Sequence, residues 1–200
     1  MKLLVLTYDF APMFGGKTTM LRNFFERTTF EKTVLTVSHK DSAEYDKKQR
    51  FKIVRIPKIL FNIPMPILRV YFFKVFFLFL FGAYLFLKKR PDLVIAGQLL
   101  SEGAAAYYLQ KFFGAKYCLF VYDTIDGEAP FFSRDKGIAK KILENASKVF
   151  YISNFMKEKL IKQGAKESAL VLLHPTADHE FFVPNLDTRQ LKKSLGVKGK

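Results

Sequence analysis

Short unbroken runs of apolar residues alternate along the chain with longer stretches that mix apolar and polar positions. The short runs are rich in Val, Ile, Leu and Phe, and they predict strands at Lys2–Tyr8, Thr33–Ser38, Lys52–Ile56, Asp92–Gly97, Lys116–Tyr122, Lys148–Ser153 and Leu170–His174. A strand that is apolar at successive positions fits burial on both faces, as in a parallel sheet. The longer stretches predict helices at Gly16–Arg27, roughly Pro66–Lys89, Ser101–Phe113, Arg134–Asn145 and Asn154–Gln163, the last stopped by Gly164. The alternation predicts an α/β fold: a Rossmann-like open, mainly parallel sheet of about seven strands with helices on both faces. After Pro184 the sequence turns polar. Thr188–Leu195 reads as a short helix and Gly196–Lys200 as linker, so residues 1–187 are expected to form one domain and 188–200 the start of an interdomain linker.

Sheets of this kind bind ligands outside the carboxyl ends of their strands, near the point where strand order reverses. That singles out the loops Asp9–Gly16, Gln98–Gly103 and Asp123–Pro130. The first runs Asp9-Phe10-Ala11-Pro12-Met13-Phe14-Gly15-Gly16 into a helix. Two glycines let a ligand approach the backbone, and the free N–H groups of the helix start suit a phosphate. A tight strand-to-helix turn explains Gly15-Gly16 equally well. A third reading is a nucleotide-binding P-loop, from Ala11-x-x-x-x-Gly16-Lys17-Thr18, with the apolar strand ending at Asp123 holding magnesium. Against it, the first glycine of that motif is Ala11, and Pro12 has no N–H to give.

Four segments, in order, resemble family 4 of the glycosyltransferases, retaining enzymes of GT-B architecture. They are the glycine loop Asp9–Gly16, Arg90-Pro91-Asp92-Leu93-Val94-Ile95 leading into the fourth strand, Ser147–Asn154 with Leu160 and Gly164, and His174-Pro175-Thr176-Ala177-Asp178 with Phe182 and Pro184. The resemblance covers nearly the whole chain as the family's N-terminal domain. The chain departs from the pattern at Asp123, where the family often has His, and at Thr176-Ala177, where it usually has Asn-Gly. The resemblance implies a nucleotide sugar as co-substrate, with no cofactor and no metal. It implies that Gly15, Gly16 and Lys17 face the donor diphosphate, that Tyr8 and Asp9 border the acceptor, and that Asp123 is the catalytic-site residue; in the same loop as Asp123, Glu128 is the further acceptor candidate, since an Asp126-Gly127 turn explains Asp126. It also implies a C-terminal donor-binding domain beyond Lys200, supplied in cis or in trans, without which the chain is expected to be inactive.

The residue reading fits the lack of a metal, because His39, His174 and His179 are scattered and no Cys/His/Asp cluster has ligand spacing. Asp123 also suits a cap on Thr124–Gly127, Asp126-Gly127 a turn, and Ser101 and Glu102 a cap on the helix they begin. Half of the 200 residues are hydrophobic, enough for a sizeable core, and the single Cys118 excludes an intramolecular disulfide. Lys2 followed by Leu3–Leu6 is too short for a secretory signal, so a cytoplasmic protein is expected.

Charge changes the picture further. Lys and Arg total 33 against 18 Asp and Glu, and residues 47–91 hold eleven basic residues and no acid. Within that segment Val70–Leu87 reads VYFFKVFFLFLFGAYLFL, with Lys74 its only charge. Such a helix has no polar face to turn to water. It approaches the length of a membrane span, but crossing there would divide the predicted sheet. The reading preferred is an interfacial helix packed on the sheet and dipping into an anionic membrane surface, through Arg69, Phe72, Phe73, Lys74, Phe76, Phe77, Lys88, Lys89 and Arg90. Burial against protein is the other reading. Nucleic acid is not expected, since the aromatics form a solid apolar run instead of spacing along a polar groove. Together these features suggest a glycosyltransferase peripheral at the inner face of the membrane, with a lipid-linked or glycan acceptor. The alternatives are a P-loop nucleotide hydrolase and a non-catalytic adaptor on a degenerate transferase domain.

Overall fold

The computed structural model describes residues 1–61, 67–122, 136–174 and 187–196, without the side chains of 67–70 and 136. Seven strands form one sheet: β1 (Lys2–Leu6), β2 (Glu31–Val37), β3 (Lys52–Ile56), β4 (Leu93–Ala96), β5 (Tyr117–Val121), β6 (Lys148–Tyr151) and β7 (Leu170–Leu172). Their order is β3-β2-β1-β4-β5-β6-β7, and every neighbouring pair is parallel. Among the described residues the α-helices are α1 (Gly16–Arg27), α2 (Ser42–Lys47), α3 (Ile67–Lys89), α4 (Ser101–Phe113), α5 (Lys136–Asn145), α6 (Asn154–Lys162) and α7 (Arg189–Ser194). The predicted strands overran most carboxyl ends by one or two residues, where the apolar run continues past the end of the ladder, as at Tyr122 and Ile152. Short, polar α2 was not foreseen.

Alternation along each strand sends side chains into two cores. Leu4 and Leu6 of β1, Val94 and Ala96 of β4 and Val149 of β6 join one core with Leu78 of α3, Leu109 of α4 and Ile142 of α5. Leu3 and Val5, Ile95 and Phe120 face the other, with Leu21 and Phe25 of α1. Leu21 and Phe25 are fully buried, each contributing roughly 2 kcal/mol of apolar burial. Ser153 caps α6, its side chain accepting from the Met156 N–H, and Gly164 follows the helix end with φ 107°. Cys118 is buried in β5.

α3 is long and apolar enough to span a membrane, with mean hydropathy 1.7 over Tyr71–Lys89. It nevertheless returns the chain into one sheet: β1 precedes it, β4 follows it, and the two strands pair from Leu3↔Leu93 to Leu6↔Ala96. Val75, Leu78 and Leu85 bury against the sheet and α4. Phe72, Phe76, Leu80, Tyr84 and Leu87 form a separate stripe, 60, 54, 48, 58 and 60% exposed. At about 1.5 Å rise per residue, that stripe runs roughly 22 Å along the helix.

Candidate functional site

Strand order reverses between β1 and β4, so their carboxyl ends diverge and open a cleft. The two chains touch closely as they part. A Cβ on Gly97 would lie 2.9 Å from the Thr7 hydroxyl oxygen, so only glycine fits there.

Glu102, in the first turn of α4, reaches into this divergence and is fully buried. One carboxylate oxygen, Oε1, accepts from the Tyr8 backbone N–H at 2.9 Å and lies 3.5 Å from the Lys17 ammonium, while Oε2 accepts from the Ser101 hydroxyl. Burial alone would raise its pKa. The Lys17 charge, the Ser101 hydroxyl and the N–H groups of Tyr8 and Glu102 itself outweigh burial and hold it below the ordinary glutamate value. This corrects the expectation that Ser101 and Glu102 cap α4. Leu100 is the N-cap, with no side-chain capping bond, and both side chains turn inward to tie β1, α1 and α4 together.

Lys17 also donates to Gln98 Oε1 at 3.0 Å. The loop before it is pinned from two sides. The Thr18 hydroxyl lies 3.0 Å from the Met13 carbonyl and 2.9 Å from that of Gly15. Arg55 of β3 forks onto Asp46 at 2.8 Å twice and donates to the Ala11 and Val37 carbonyls at 2.6 and 3.1 Å. Gly15 is extended (φ 165°), and a Cβ on Gly16 would meet nothing within 4 Å. Packing therefore does not demand glycine at position 16, and the first turn of α1 has neither a side-chain cap nor an acidic residue. Gly16, Lys17, Met20 and Asn23 line a cavity of about 520 Å³ with Tyr122 and Ile152, beyond the ends of β5 and β6. The Tyr122 hydroxyl is buried with no partner among the described residues.

On the other side of Tyr8, the Lys74 ammonium sits 4.0 Å from the ring centroid, and Phe61 packs edge-on at 5.4 Å. Burial, then the charges of Asp9 and Glu102, push the Tyr8 hydroxyl pKa up. Asp9 lies 4.0 Å from His39 Nε2, a buried atom without a hydrogen bond. Burial lowers the His39 pKa, Asp9 opposes that, and Lys58 and Arg55 reinforce it.

The structure thus gathers Tyr8, Asp9, Gly15, Gly16 and Lys17 at the reversal. Asp123 and Glu128 lie outside the described residues, as do Pro175–Asp178, His179, Phe182 and Pro184. Of the helix residues expected at a membrane, Phe72, Phe76, Lys88, Lys89 and Arg90 are exposed. The Arg69 side chain is outside the description. Lys74 instead lays its charge over Tyr8, and half-buried Phe77 packs on Phe61 at 5.6 Å and on half-buried Phe73 at 6.0 Å, because these positions flank the face of α3 that meets the sheet. Glu102, Arg55, His39 and Tyr122 escaped the sequence reading as site residues, and Lys74 was expected at a membrane instead of at the cleft. For Glu102 the available signal was its place in one of the three cleft loops, one residue ahead of the small Gly103-Ala104-Ala105-Ala106 run that packs in the core.

The sequence matches no protein-family profile and no curated protein. Solved structures do match. Anabaena HepE in complex with UDP aligns over 98% of this chain and 50% of its own, at 15% identity and TM-score 0.73, and its complex with UDP-glucose at 13% and 0.67. Sucrose-phosphate synthase from Thermosynechococcus elongatus aligns over 98% and 53%, at 14% identity and TM-score 0.69. UDP-GlcNAc 2-epimerase from Methanocaldococcus jannaschii aligns over 86% and 45%, at 13% identity and TM-score 0.58. The chain spans about half the length of these proteins. Its fold is that of one Rossmann-like half of the GT-B architecture.

Proposed function

We propose that this chain is the acceptor-binding half of a membrane-associated glycosyltransferase, which moves a sugar from a nucleotide sugar to a lipid-linked or glycan acceptor. A donor-binding half works with it in cis or in trans, and the protein is cytoplasmic and peripheral at the inner face of the membrane. One observation carries the reading. An uncapped helix start with an open glycine and a lysine, whose ammonium reaches the strand reversal, lines a cavity beyond β5 and β6, in a fold shared with a protein solved with UDP and with UDP-glucose.

The chemistry follows from the positions. A retaining transfer must stabilise a departing diphosphate. The N–H groups at Gly16 and Lys17, with the Lys17 ammonium held by Glu102 and Gln98, supply positive potential at a fixed place without reorganising. Gly15, Gly16 and Lys17 face the donor diphosphate. Tyr8 and Asp9 border the acceptor, joined by Glu128, and Asp123, next after Tyr122, hydrogen-bonds the acceptor hydroxyl or the donor sugar.

The P-loop reading fares worse. In that motif the lysine and the hydroxyl serve the phosphates and magnesium. Here the Thr18 hydroxyl is committed to its own loop, Ala11 stands where the motif has its first glycine, and Pro12 has no N–H to offer. The epimerase shares the fold, so fold does not select transfer over epimerisation. The exposed apolar stripe of α3, ending in Lys88, Lys89 and Arg90, favours an acceptor met at a membrane. The test is to offer the complete protein a panel of nucleotide sugars with membrane lipid and glycan acceptors, and to read by mass spectrometry whether an acceptor gains a sugar residue.

A further inference from the structure

The cleft and the outer surface of α3 are joined by an unbroken line of aromatic rings. Tyr8 meets Phe61 at 5.4 Å, Phe61 meets Phe77 at 5.6 Å, and Phe77 meets Phe76 at 5.4 Å and Phe73 at 6.0 Å. The line ends at an open apolar depression of about 380 Å³ on the helix surface, lined by Phe72, Phe73 and Phe76. At its cleft end stands Lys74, the only charge between Val70 and Leu87.

The two lysines of the cleft differ in what balances them. Lys17 has the Glu102 carboxylate at 3.5 Å. Lys74 has the Tyr8 ring at 4.0 Å and no carboxylate partner among the described residues. A ring face attracts a cation only weakly compared with an anion. Asp9 lies within 4.0 Å of His39. A cation with no counter-ion among the described residues, beside a cleft and at the head of an apolar path that leads outward, complements a ligand with an anionic head and an apolar tail.

We propose that the acceptor is a phosphate-headed amphiphile with a long apolar chain. Its phosphate pairs with Lys74 beside Tyr8, and its chain follows Phe61 and Phe77 out to the open depression of Phe72, Phe73 and Phe76. This inference rests on the reading of the chain as the acceptor half. It adds the chemical class of the acceptor and the residues that select it. The exposed stripe of α3 and its basic end hold the protein at the membrane, and Lys74 with the aromatic line draws one lipid out of it.

The test measures binding of the 200-residue chain to three kinds of vesicle: phosphatidylcholine alone, phosphatidylcholine with phosphatidylglycerol, and phosphatidylcholine with a long-chain isoprenyl monophosphate. The last two are matched in zeta potential. Binding to the isoprenyl phosphate vesicles is expected to be at least tenfold tighter than to the phosphatidylglycerol ones. Lys74→Met should abolish that preference while phosphatidylglycerol binding stays, Lys74→Arg should retain it, and Phe76→Ser should weaken binding to both. A water-soluble short-chain isoprenyl phosphate should compete at concentrations where inorganic phosphate does not. Equal binding by the wild-type chain to the two anionic vesicles would overturn the proposal, as would equal loss on both with Lys74→Met, or competition by inorganic phosphate alone as strong as by its isoprenyl ester. Binding to neutral vesicles as tight as to both anionic kinds would overturn the membrane reading itself, a different failure. Should Lys74→Met not fold, the wild-type comparison and the competitors still decide.

Discussion

The Lys17 ammonium of α1 lies 3.5 Å from the carboxylate of Glu102 on α4, which is wholly shielded from water while the lysine keeps 18% of its side chain exposed. The asymmetry sets what each substitution costs. Lys17→Met leaves an anion in the interior and is expected to destabilise the fold by about 3 kcal/mol. Glu102→Gln leaves a lysine that can turn to water and should cost less. The double variant should recover part of the loss. Urea unfolding of all three, read as a double-mutant cycle, checks this.

The same pair gives a pH signature. The folded-state pKa of Glu102 lies below its ordinary value of 4.5. Its stabilisation is therefore complete above about pH 4.5 and is lost as pH falls from there through the depressed folded value. Glu102→Gln should flatten the acid limb of the stability curve, measured by melting temperature between neutral pH and pH 3.

His39 should titrate below 6.5, because burial disfavours its charged form. Asp9 opposes that shift, so Asp9→Asn is expected to lower the His39 pKa further. Stability contributed by neutral His39 is present above 6.5 and falls as pH drops toward the folded value. Imidazole proton shifts followed by NMR across pH 4–8 would show both effects.

Arg55 holds the glycine loop by a fork onto Asp46 and by the Ala11 carbonyl. Lysine cannot reproduce that fork. Arg55→Lys should cost roughly 2 kcal/mol, as a partly broken, mostly buried pair, and should speed amide exchange in residues 11–16 more than in β5.

Membrane attachment is expected to depend on the basic end of α3. Replacing Lys88, Lys89 and Arg90 by Ser should weaken binding to anionic vesicles by up to about 3 kcal/mol, at about 1 kcal/mol per cation. Added salt should weaken wild-type binding in the same direction. Vesicle sedimentation measures both.

Much of the fold was legible because it is written locally. Apolar runs such as Leu3–Leu6 and Val94–Ile95 announce strands covered on both faces, and Ser153 and Gly164 bracket α6 by their own chemistry. The cleft was legible only as a set of loops. Glu102 reads as a helix-start acid until β1 and β4 lie side by side, for its partner Tyr8 is 94 residues away in sequence. α3 concealed its orientation for another reason. A helix apolar on all sides has no periodicity to reveal which face is buried, so Lys74 looked like surface charge until packing turned it over Tyr8. Arg55 was counted with the basic field, although it serves the loop from within.

The central claim is that this chain presents an acceptor to a donor half across the cleft at Gly16 and Lys17. The most direct measurement compares sugar transfer from nucleotide sugars by residues 1–200 alone, by the complete two-half protein, and by that protein with Gly16→Val. A Cβ at Gly16 meets nothing within 4 Å, so the variant is expected to fold and to fail where a diphosphate must approach. The expected result is transfer by the complete protein, none by residues 1–200, and none by the variant at an unchanged melting temperature. Transfer by residues 1–200 alone, or full activity of Gly16→Val, would contradict it.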